Sequence, residues 1–326
     1  MMDKTKVNNI LFLTLSNIGD VVLTLPVLGV LEREFPNANI TVMVSEQAKE
    51  IFQHDPKIAK VITYNKRIPF SEKITLGLRL RKRNFDLIVD LRSTLYPLLA
   101  GAPYRTSLFT NKARKEGMHK RDFHLSKLTG LGLDINEASY DLFYGEEDIL
   151  NVKNLLKQLN ISDTDKIVAI APGAKSHIKQ WPIGGFAKVA LRLNRELGIK
   201  VLLLGDKNDK EMIAQILSFG LNDTYDMAGR TNLRELAYIL SFCRLLITND
   251  SAPLHLGSLV KTPVVAIFGP TDDLKYGPVS QNSVVIKKGL KCSPCEKAQC
   301  VFNLECLRQI NADDVFEAAK RILSGL

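Results

Sequence analysis

The sequence contains no long hydrophobic run. No apolar stretch approaches the roughly 18 to 20 residues that a membrane-spanning helix requires. The N-terminus also lacks a basic region, an apolar core and a small-residue cleavage site in that order. These absences predict a cytoplasmic protein rather than a membrane-spanning or exported one.

Two nucleotide-binding motifs are missing as well. No Gly-x-x-x-x-Gly-Lys-Ser/Thr segment occurs, which disfavours a Walker-type NTPase. The first strand–turn–helix segment has only Gly19 where a dinucleotide fingerprint needs three glycines, which disfavours a nicotinamide dehydrogenase. No internal repeat is visible, so repeat architectures are disfavoured too.

The composition is that of a soluble globular protein with two domains. The 326 residues are 45% hydrophobic and 24% charged, and the net charge of +9 favours anionic partners. Many basic residues form two runs in the first half. Such runs are more often the solvated face of a helix, and the alternative is that they bind an anion. The runs are Lys66, Arg67, Lys73, Arg79, Arg81, Lys82 and Arg83, and Lys112, Arg114, Lys115, Lys120, Arg121 and Lys127.

Strand-like runs alternate with helical periodicity along the whole chain. The strand-like runs are 10–15, 40–44, 61–64, 87–91, 167–170, 201–204, 245–247 and 264–268. This alternation predicts an α/β protein with two doubly wound parallel sheets, whose working edges lie at the carboxyl ends of the strands. We place the domains at 1–160 and 161–326, with an amphipathic helix over 146–159 as the bridge. A helix over about 312–323 is predicted to pack back on the N-terminal domain.

The stretch from Leu245 to Gly257 predicts a strand, a polar turn and a helix N-terminus. Thr248 to Ser251 supply capping side chains and Pro253 fits the first helical turn, which makes an anion site plausible. Considered alone, the stretch is more often a well-capped helix. Three further loops, 172–181, 205–209 and 269–272, also follow predicted strands and carry Gly, Pro, Ser, Thr, Asp or Lys. If the four loops converge at one sheet edge, their backbone N–H groups, hydroxyls and lysine side chains can bind a diphosphate.

Seven short motifs lie along nearly the whole chain. They are Ser16-Asn17-Ile18-Gly19-Asp20 followed by Leu25-Pro26; Asp90 with the Arg105 region; Ala171-Pro172-Gly173-Ala174 through Lys179-Gln180-Trp181-Pro182; Gly205; Ala228-Gly229 with Leu233 and Leu236; Asn249-Asp250-Ser251 through His255; and Phe268-Gly269-Pro270-Thr271-Asp272. Each motif is weak by itself, but all seven in this order make a specific signal. Together they resemble glycosyltransferase family 9, the ADP-heptose:lipopolysaccharide heptosyltransferases.

The resemblance implies a GT-B fold, two Rossmann-like domains that face a cleft, with the acceptor on the first and the nucleotide sugar on the second. It implies inverting, metal-independent transfer of heptose from ADP-heptose to a lipopolysaccharide inner-core acceptor, an anionic glycolipid of the lipid A/Kdo type. It also implies a cytoplasmic enzyme at the inner membrane surface, without nucleic acid partners. Alternatives are another nucleotide sugar or acceptor on the same fold, or a nucleotide-sugar-binding protein without catalysis.

The resemblance assigns the two catalytic roles to Asp20 and Lys179. The resemblance makes Asp20 the base that takes the proton of the acceptor hydroxyl. An equally frequent role for a carboxylate at this position is only to complement the dipole of a helix. The resemblance makes Lys179 the positive charge that stabilises the departing diphosphate. The alternative is a solvated loop lysine with no role in catalysis. We expect Lys179→Ala to lower kcat with little change in folding.

The remaining assignments follow by the same resemblance. Donor-binding positions are Gly173, Lys179, Asp209, Asp250, Ser251, Ala252, His255 and Thr271, where Asp209 is a ribose ligand and Asp250 and His255 border the sugar. Acceptor-binding candidates are Arg92, Arg105, Lys120 and Arg121, because Lys and Arg suit an acidic acceptor.

Four cysteines lie within fifteen residues, at Cys292, Cys295, Cys300 and Cys306, and Cys243 lies apart in an apolar helix. Their spacing fits a structural zinc or iron–sulfur site, or two disulfides in an oxidising compartment. A cytoplasmic setting disfavours the disulfides. Only one Cys-x-x-Cys unit is present, whereas a common zinc site pairs two. No cofactor is expected to take part in catalysis.

Overall fold

The computed structural model describes residues 2–65, 67–107 and 117–325. The chain forms two compact units, Met1–Phe143 and Tyr144–Leu326. In the described residues no helix combines the length and the apolar character needed to cross a membrane. The basic residues Lys66, Lys112, Arg114 and Lys115 lie outside the described residues.

The first unit is built on a five-stranded parallel sheet in the order β3-β2-β1-β4-β5. Its strands are β1 (Asn9–Leu13), β2 (Asn39–Val44), β3 (Ile58–Thr63), β4 (Leu87–Asp90) and β5 (Tyr104–Arg105). Its helices are α1 (Ile18–Val22), α2 (Leu25–Glu34), α3 (Phe70–Arg81), α4 (Tyr96–Ala100) and α5 (Lys120–Thr129). The strand order reverses direction between β1 and β4, so the loops that follow these two strands flank the topological switch point of the sheet.

The helical pattern after β1 divides into two helices at Thr24. The Thr24 hydroxyl donates to the carbonyl of Val21 at 2.6 Å and lies 2.6 Å from the hydroxyl of Thr14. Pro26, in the first turn of α2, has no N–H with which to continue the hydrogen bonds of α1. The chain therefore restarts its helix there, although the apolar periodicity runs on.

The second unit is built on a six-stranded parallel sheet in the order β11-β10-β9-β6-β7-β8. Its strands are β6 (Ile167–Ala171), β7 (Lys200–Leu203), β8 (Thr224–Asp226), β9 (Leu245–Asn249), β10 (Val264–Ile267) and β11 (Val284–Ile286). Its helices are α6 (Glu146–Gln158), α7 (Ile183–Leu197), α8 (Lys210–Leu217), α9 (Leu233–Phe242), α10 (Ala252–Leu259), α11 (Asp273–Tyr276), α12 (Glu305–Arg308) and α13 (Ala312–Ser324). The switch point lies between β6 and β9. The predicted pair of doubly wound parallel sheets is therefore confirmed.

The bridging helix α6 belongs to the second unit, so the division falls before it rather than near residue 160. Asp148 on α6 pairs with Arg234 at the start of α9, with 2.8 Å between its Oδ2 and the arginine Nε. Asn151 donates to Glu235, also on α9, at 2.9 Å. These partly buried polar contacts join α6 to α9 within the second unit.

Within the second unit, the C-terminal helix α13 packs on α7 and on the sheet. Its predicted packing on the N-terminal domain stays a prediction. Phe316 of α13 is fully buried, and the guanidinium of Arg192 on α7 lies 3.7 Å from its ring centre. The buried face of α13 joins the apolar core that also contains Trp181 and Phe186. The helix thereby closes the core beneath the loop that follows β6.

Candidate functional site

The stretch singled out in the sequence forms β9 and α10, joined by Asp250 and Ser251. Ser251 is the N-cap of α10 in an extended conformation, and its hydroxyl lies 3.2 Å from that of Thr248 instead of capping the helix. Pro253 has no N–H, and in the described residues the amides of Ser251 and Ala252 donate to no protein acceptor. These two amides are therefore available to donate to an anion, and the anion site itself stays a prediction.

Asn249, the last residue of β9, fastens the loop that follows β6. Its fully buried side-chain amide donates to the carbonyl of Pro172 at 2.6 Å, and its carbonyl oxygen accepts from the backbone N–H of Trp181 at 3.0 Å. The indole N–H of Trp181 in turn donates to the carbonyl of Ile310 at 3.1 Å. Both ends of the Lys179 loop are thus held against β9.

Lys179 and Asp250 form an ion pair at the switch point. The ammonium lies 2.7 Å from Oδ2 of Asp250, whose side chain is 5% exposed, while that of Lys179 is 31% exposed. The Nε2 atom of His255 lies 3.9 Å from the other carboxylate oxygen, and the ring centre of Tyr276 lies 6.0 Å from the ammonium. The structure therefore brings three predicted residues together, and it already gives Lys179 a carboxylate partner.

Asp209 fills a gap between two glycines. A Cβ atom on Gly173 or Gly205 would lie 2.5 or 2.7 Å from atoms of this side chain, so a larger residue at either position would displace Asp209. One carboxylate oxygen accepts from the N–H of Asp206 at 2.9 Å, and burial raises the pKa of Asp209. Asp209 is thus part of the loop architecture, and its predicted contact with a ribose stays a prediction.

The loop after β10 carries Thr271, whose hydroxyl oxygen is buried and without a hydrogen-bond partner in the described residues. A buried polar atom without a partner is unfavourable, so a ligand oxygen would be a natural complement. The cysteine-bearing segment supports this loop. The amides of Cys295 and Glu296 donate to the carbonyl of Pro270, and the Ser293 hydroxyl donates to that of Gly269.

The four cysteines do not form a ready metal site. Among the described residues, no group of three or more His, Cys, Asp or Glu side chains is arranged to hold a metal ion. Burial raises the pKa of the Cys306 thiol, as do the three neighbouring cysteines, and the Cys300 sulfur accepts from the N–H of Leu304. The predicted zinc or iron–sulfur site has no geometric support here. It stays a prediction that elemental analysis of the purified protein would decide.

In the first unit, Asp20 lies in the first turn of the short helix α1, after β1. Its carboxylate accepts a hydrogen bond from the side-chain amide of Asn17 at 2.9 Å and is partly exposed. This position leaves one carboxylate oxygen available to a hydroxyl at the switch point of the first sheet. The role of Asp20 as the base stays a prediction.

Arg92 lies across the same sheet edge, and its guanidinium carbon lies 4.1 Å from the ring centre of Tyr64. The Tyr64 hydroxyl lies 3.0 Å from that of Ser16, which is four residues before Asp20. The turn behind Arg92 is held by Asp90, which accepts from the backbone amides of Arg92 and Thr94. Burial lowers the pKa of Arg92. The sequence does not predict a role for Tyr64, because its partners Arg92 and Ser16 are distant in the chain.

Lys127 is a second cation near this turn that the motifs did not single out. Its side chain is buried, and its ammonium donates to the carbonyl of Leu91 at 2.9 Å and to the hydroxyl of Ser93 at 3.3 Å. Burial lowers the pKa of Lys127, the charge of Asp90 raises it, and that of Lys120 lowers it. The ammonium groups of Lys120 and Lys127 lie 5.8 and 5.4 Å from the ring centre of Phe123, so both cations border this ring.

The other two acceptor candidates are engaged locally. Arg121 pairs with the adjacent Asp122, with 2.8 Å between Nε and Oδ1. Arg105 is exposed on β5 and donates to the carbonyl of Ala102 at 3.0 Å. No contact in the described residues joins either side chain to Asp20 or Arg92. All four acceptor assignments, Arg92, Arg105, Lys120 and Arg121, stay predictions.

Comparison with known proteins gives one consistent family. The family model described as glycosyltransferase family 9 (heptosyltransferase) matches residues 74–305. Lipooligosaccharide heptosyltransferase 2 of Campylobacter jejuni is 27% identical over 313 residues, which cover 94% of this chain and 96% of that protein. Lipopolysaccharide heptosyltransferase 3 of Escherichia coli K12 is 27% identical over 330 residues, with coverages of 94% and 95%.

The fold comparison agrees. The crystal structure of a family 9 glycosyltransferase from Veillonella parvula matches with a TM-score of 0.86 and 25% identity, and it covers 100% of this chain and 99% of that one. The two parallel-sheet units have the GT-B architecture that the sequence motifs implied. The chain belongs to glycosyltransferase family 9.

Proposed function

We propose that this protein is an inverting, metal-independent glycosyltransferase that moves heptose from ADP-heptose to a lipopolysaccharide inner-core acceptor. The observation that carries the proposal is the Lys179–Asp250 ion pair beside the open N-terminus of α10. A cation and free backbone amides at one switch point suit a diphosphate. The family and its heptosyltransferase relatives supply the reaction class.

In this reaction Asp20 removes the proton of the acceptor hydroxyl, whose oxygen attacks the anomeric carbon from the face opposite the diphosphate. The bond between that carbon and the diphosphate oxygen breaks, and ADP leaves with the electron pair. Lys179 and the amides of Ser251 and Ala252 stabilise the charge that develops on the leaving oxygen. Since the attack is a single displacement, the configuration at the anomeric carbon inverts.

Asp250 acts as a positioning residue in this scheme. Its buried carboxylate holds the ammonium of Lys179 in place before the donor binds, and a positioned cation needs no reorganisation during the reaction. The second carboxylate oxygen of Asp250, 3.9 Å from Nε2 of His255, can accept a hydrogen bond from a sugar hydroxyl. Thr271 supplies a further hydroxyl to the donor.

The acceptor is proposed to be an anionic glycolipid of the lipid A/Kdo type, bound by the first unit. Arg92 and Lys120 provide the positive charge, and the fork of the Arg92 guanidinium suits a carboxylate or phosphate. The stack of Arg92 on Tyr64 holds the fork in one orientation. We place the enzyme in the cytoplasm, on the inner face of the cytoplasmic membrane, where such acceptors would be met.

The identity of the nucleotide base, like the reaction class, rests on family resemblance. The E. coli heptosyltransferase WaaC solved with ADP has a similar fold, with a TM-score of 0.71, but is only 17% identical. Calorimetric titration with ADP, UDP and NAD in parallel therefore tests the donor. Tight binding of ADP alone supports the proposal, preferential binding of UDP redirects it to another nucleotide sugar, and binding of NAD overturns it.

A further inference from the structure

Helices α3 and α4 of the first unit expose five large apolar side chains. On α3, Phe70, Ile74 and Leu78 recur every four residues and are 67%, 36% and 49% exposed. This spacing places them along one side of the helix. Contiguous exposed apolar side chains on a folded protein mark an interaction surface more often than isolated ones do.

Helix α4 extends this face. α3 and α4 approach closely at Gly77, where an added Cβ would lie 2.6 Å from the Leu99 side chain. Leu95 and Leu98, at the start of α4, are 52% and 47% exposed. We call these five exposed residues and the basic residues around them the α3–α4 face.

The charge around these side chains is almost all positive. Segment 67–83 contains six basic residues and one acidic residue, Glu72. In the described part of the chain none of the six forms an ion pair. The basic residues are Arg67, Lys73, Arg79, Arg81, Lys82 and Arg83. An apolar stripe bordered by unpaired cations has the chemistry of a surface that lies on anionic lipid.

The topology places this face beside the candidate acceptor residues. α3 leads from β3 to the parallel strand β4, so it runs opposite to the strands and begins at their carboxyl ends. Phe70 therefore lies at the sheet edge that carries Tyr64. Leu95 follows directly after the turn that holds Arg92.

We propose that the α3–α4 face docks on the surface of an anionic phospholipid bilayer, with Phe70, Leu78 and Leu95 entering the boundary between headgroups and acyl chains. The inference deepens the proposed function, because it places a lipid-anchored acceptor next to Arg92. A second copy of the chain is a poor occupant, since a two-fold contact through this face would oppose two sets of six cations. A bilayer rich in anionic headgroups satisfies both the charge and the apolar stripe.

Sedimentation with phospholipid vesicles tests the proposal. Vesicles of phosphatidylcholine alone are compared with vesicles that also contain phosphatidylglycerol, at low and at high salt. We expect binding to the phosphatidylglycerol vesicles only, weakened by salt because screening reduces the attraction between the cations and the headgroups. Equal binding to both vesicle types, or binding to neither, would overturn the proposal.

Two variants separate the apolar and the charged contributions. Phe70→Ser with Leu78→Ser is expected to weaken vesicle binding about thirtyfold, from the apolar surface removed. Arg79→Ser with Lys82→Ser and Arg83→Ser is expected to weaken it about a hundredfold, at roughly fivefold for each cation. The matched control is Phe219→Ser with Phe242→Ser, which removes two exposed aromatic side chains from the second unit. Binding that falls equally in the control would contradict the assignment.

Two further readouts keep this result apart from the proposed function. The vesicles contain no acceptor, so they report docking even if the protein transfers no sugar. ADP titration and thermal melting should be unchanged in both variants, because all substituted side chains are on the surface. If either variant instead alters the oligomeric state without vesicles, the face is a protein interface and the proposal is wrong.

Discussion

At the scale of single residues, the ion pair between Lys179 and Asp250 changes what a lysine substitution should do. A solvated lysine can be removed without effect on folding, and this is the outcome that the sequence alone predicts. The structure pairs Lys179 with a carboxylate that is 5% exposed. Removing the cation leaves a buried charge without its partner, which costs stability.

Lys179→Ala is therefore expected to have two effects. We predict that kcat falls about 10²- to 10³-fold, as for the loss of one group that stabilises developing charge. The free energy of unfolding should fall by roughly 1 to 3 kcal/mol. Steady-state kinetics and urea denaturation measure the two effects, and Lys157→Ala, an exposed lysine on α6, is the control.

A second variant distinguishes the catalytic effect from the structural one. In Lys179→Ala with Asp250→Asn, no buried charge is left unpaired, so stability should return most of the way toward the parent while kcat stays low. Recovery of turnover together with stability would mean that Lys179 acts only in folding.

The Asp20→Asn variant tests the proposed base. Asparagine keeps the size of the side chain but cannot take a proton, so kcat should fall about 10²- to 10⁴-fold. ADP should bind with unchanged affinity, because Asp20 belongs to the unit proposed to hold the acceptor. Kinetics and calorimetry on the same preparation measure both quantities, and a variant with parental turnover would refute the assignment.

At the scale of elements, the start of α7 links the core to the Lys179 loop. A Cβ atom on Gly185 would lie 2.4 Å from the ring of Trp181, whereas one on Gly184 would meet nothing within 4 Å. Trp181 is fixed by Asn249 and Ile310, so it has little room to move. Gly184 is therefore a control for Gly185, because the two glycines are adjacent and only an added Cβ at Gly185 would meet Trp181.

We predict opposite results for these two glycines. Gly184→Ala should leave stability unchanged or raise it by up to about 1 kcal/mol, since alanine favours the helical state. Gly185→Ala should lower stability by about 1 to 3 kcal/mol, as overpacking of a core does. It should also lower kcat, because a displaced Trp181 moves Lys179. Equal melting temperatures and rates for the two variants would contradict this coupling.

The sequence predicts the central strands of both sheets better than the short strands at the sheet edges. Apolar runs bounded by polar turns identified the central strands, and motif order identified Lys179, Asp250 and His255 as neighbours. The sequence does not predict the edge strands β5, β8 and β11, because each has only two or three residues and is partly exposed. For strands so short, hydrophobic pattern carries almost no information.

Contacts between distant parts of the chain could not be predicted. Asn249 pairs with residues 68 and 77 positions away, and Arg92 stacks on a tyrosine from another strand end. Asp209 resembles a ligand in its motif but fits between two glycines. Such pairings depend on how strands are ordered in the sheet, which no local pattern specifies.

At the scale of the whole molecule, positive charge is concentrated in the first unit. Residues 1–143 contain 21 basic and 15 acidic side chains, whereas residues 144–326 contain 23 and 20. Long-range attraction to an anionic acceptor or surface therefore acts mainly on the unit that carries Arg92 and the α3–α4 face. The second unit instead positions a few charges locally, at the Lys179–Asp250 pair.

The central claim is that this family member transfers heptose from ADP-heptose to a glycolipid. The most direct test incubates the purified protein with ADP-heptose and an inner-core glycolipid acceptor, and follows acceptor mass and nucleotide release together. We predict that the acceptor gains one heptosyl residue for each ADP released. Tight ADP binding without any gain in acceptor mass, or transfer only from a uridine-linked sugar, would contradict the account.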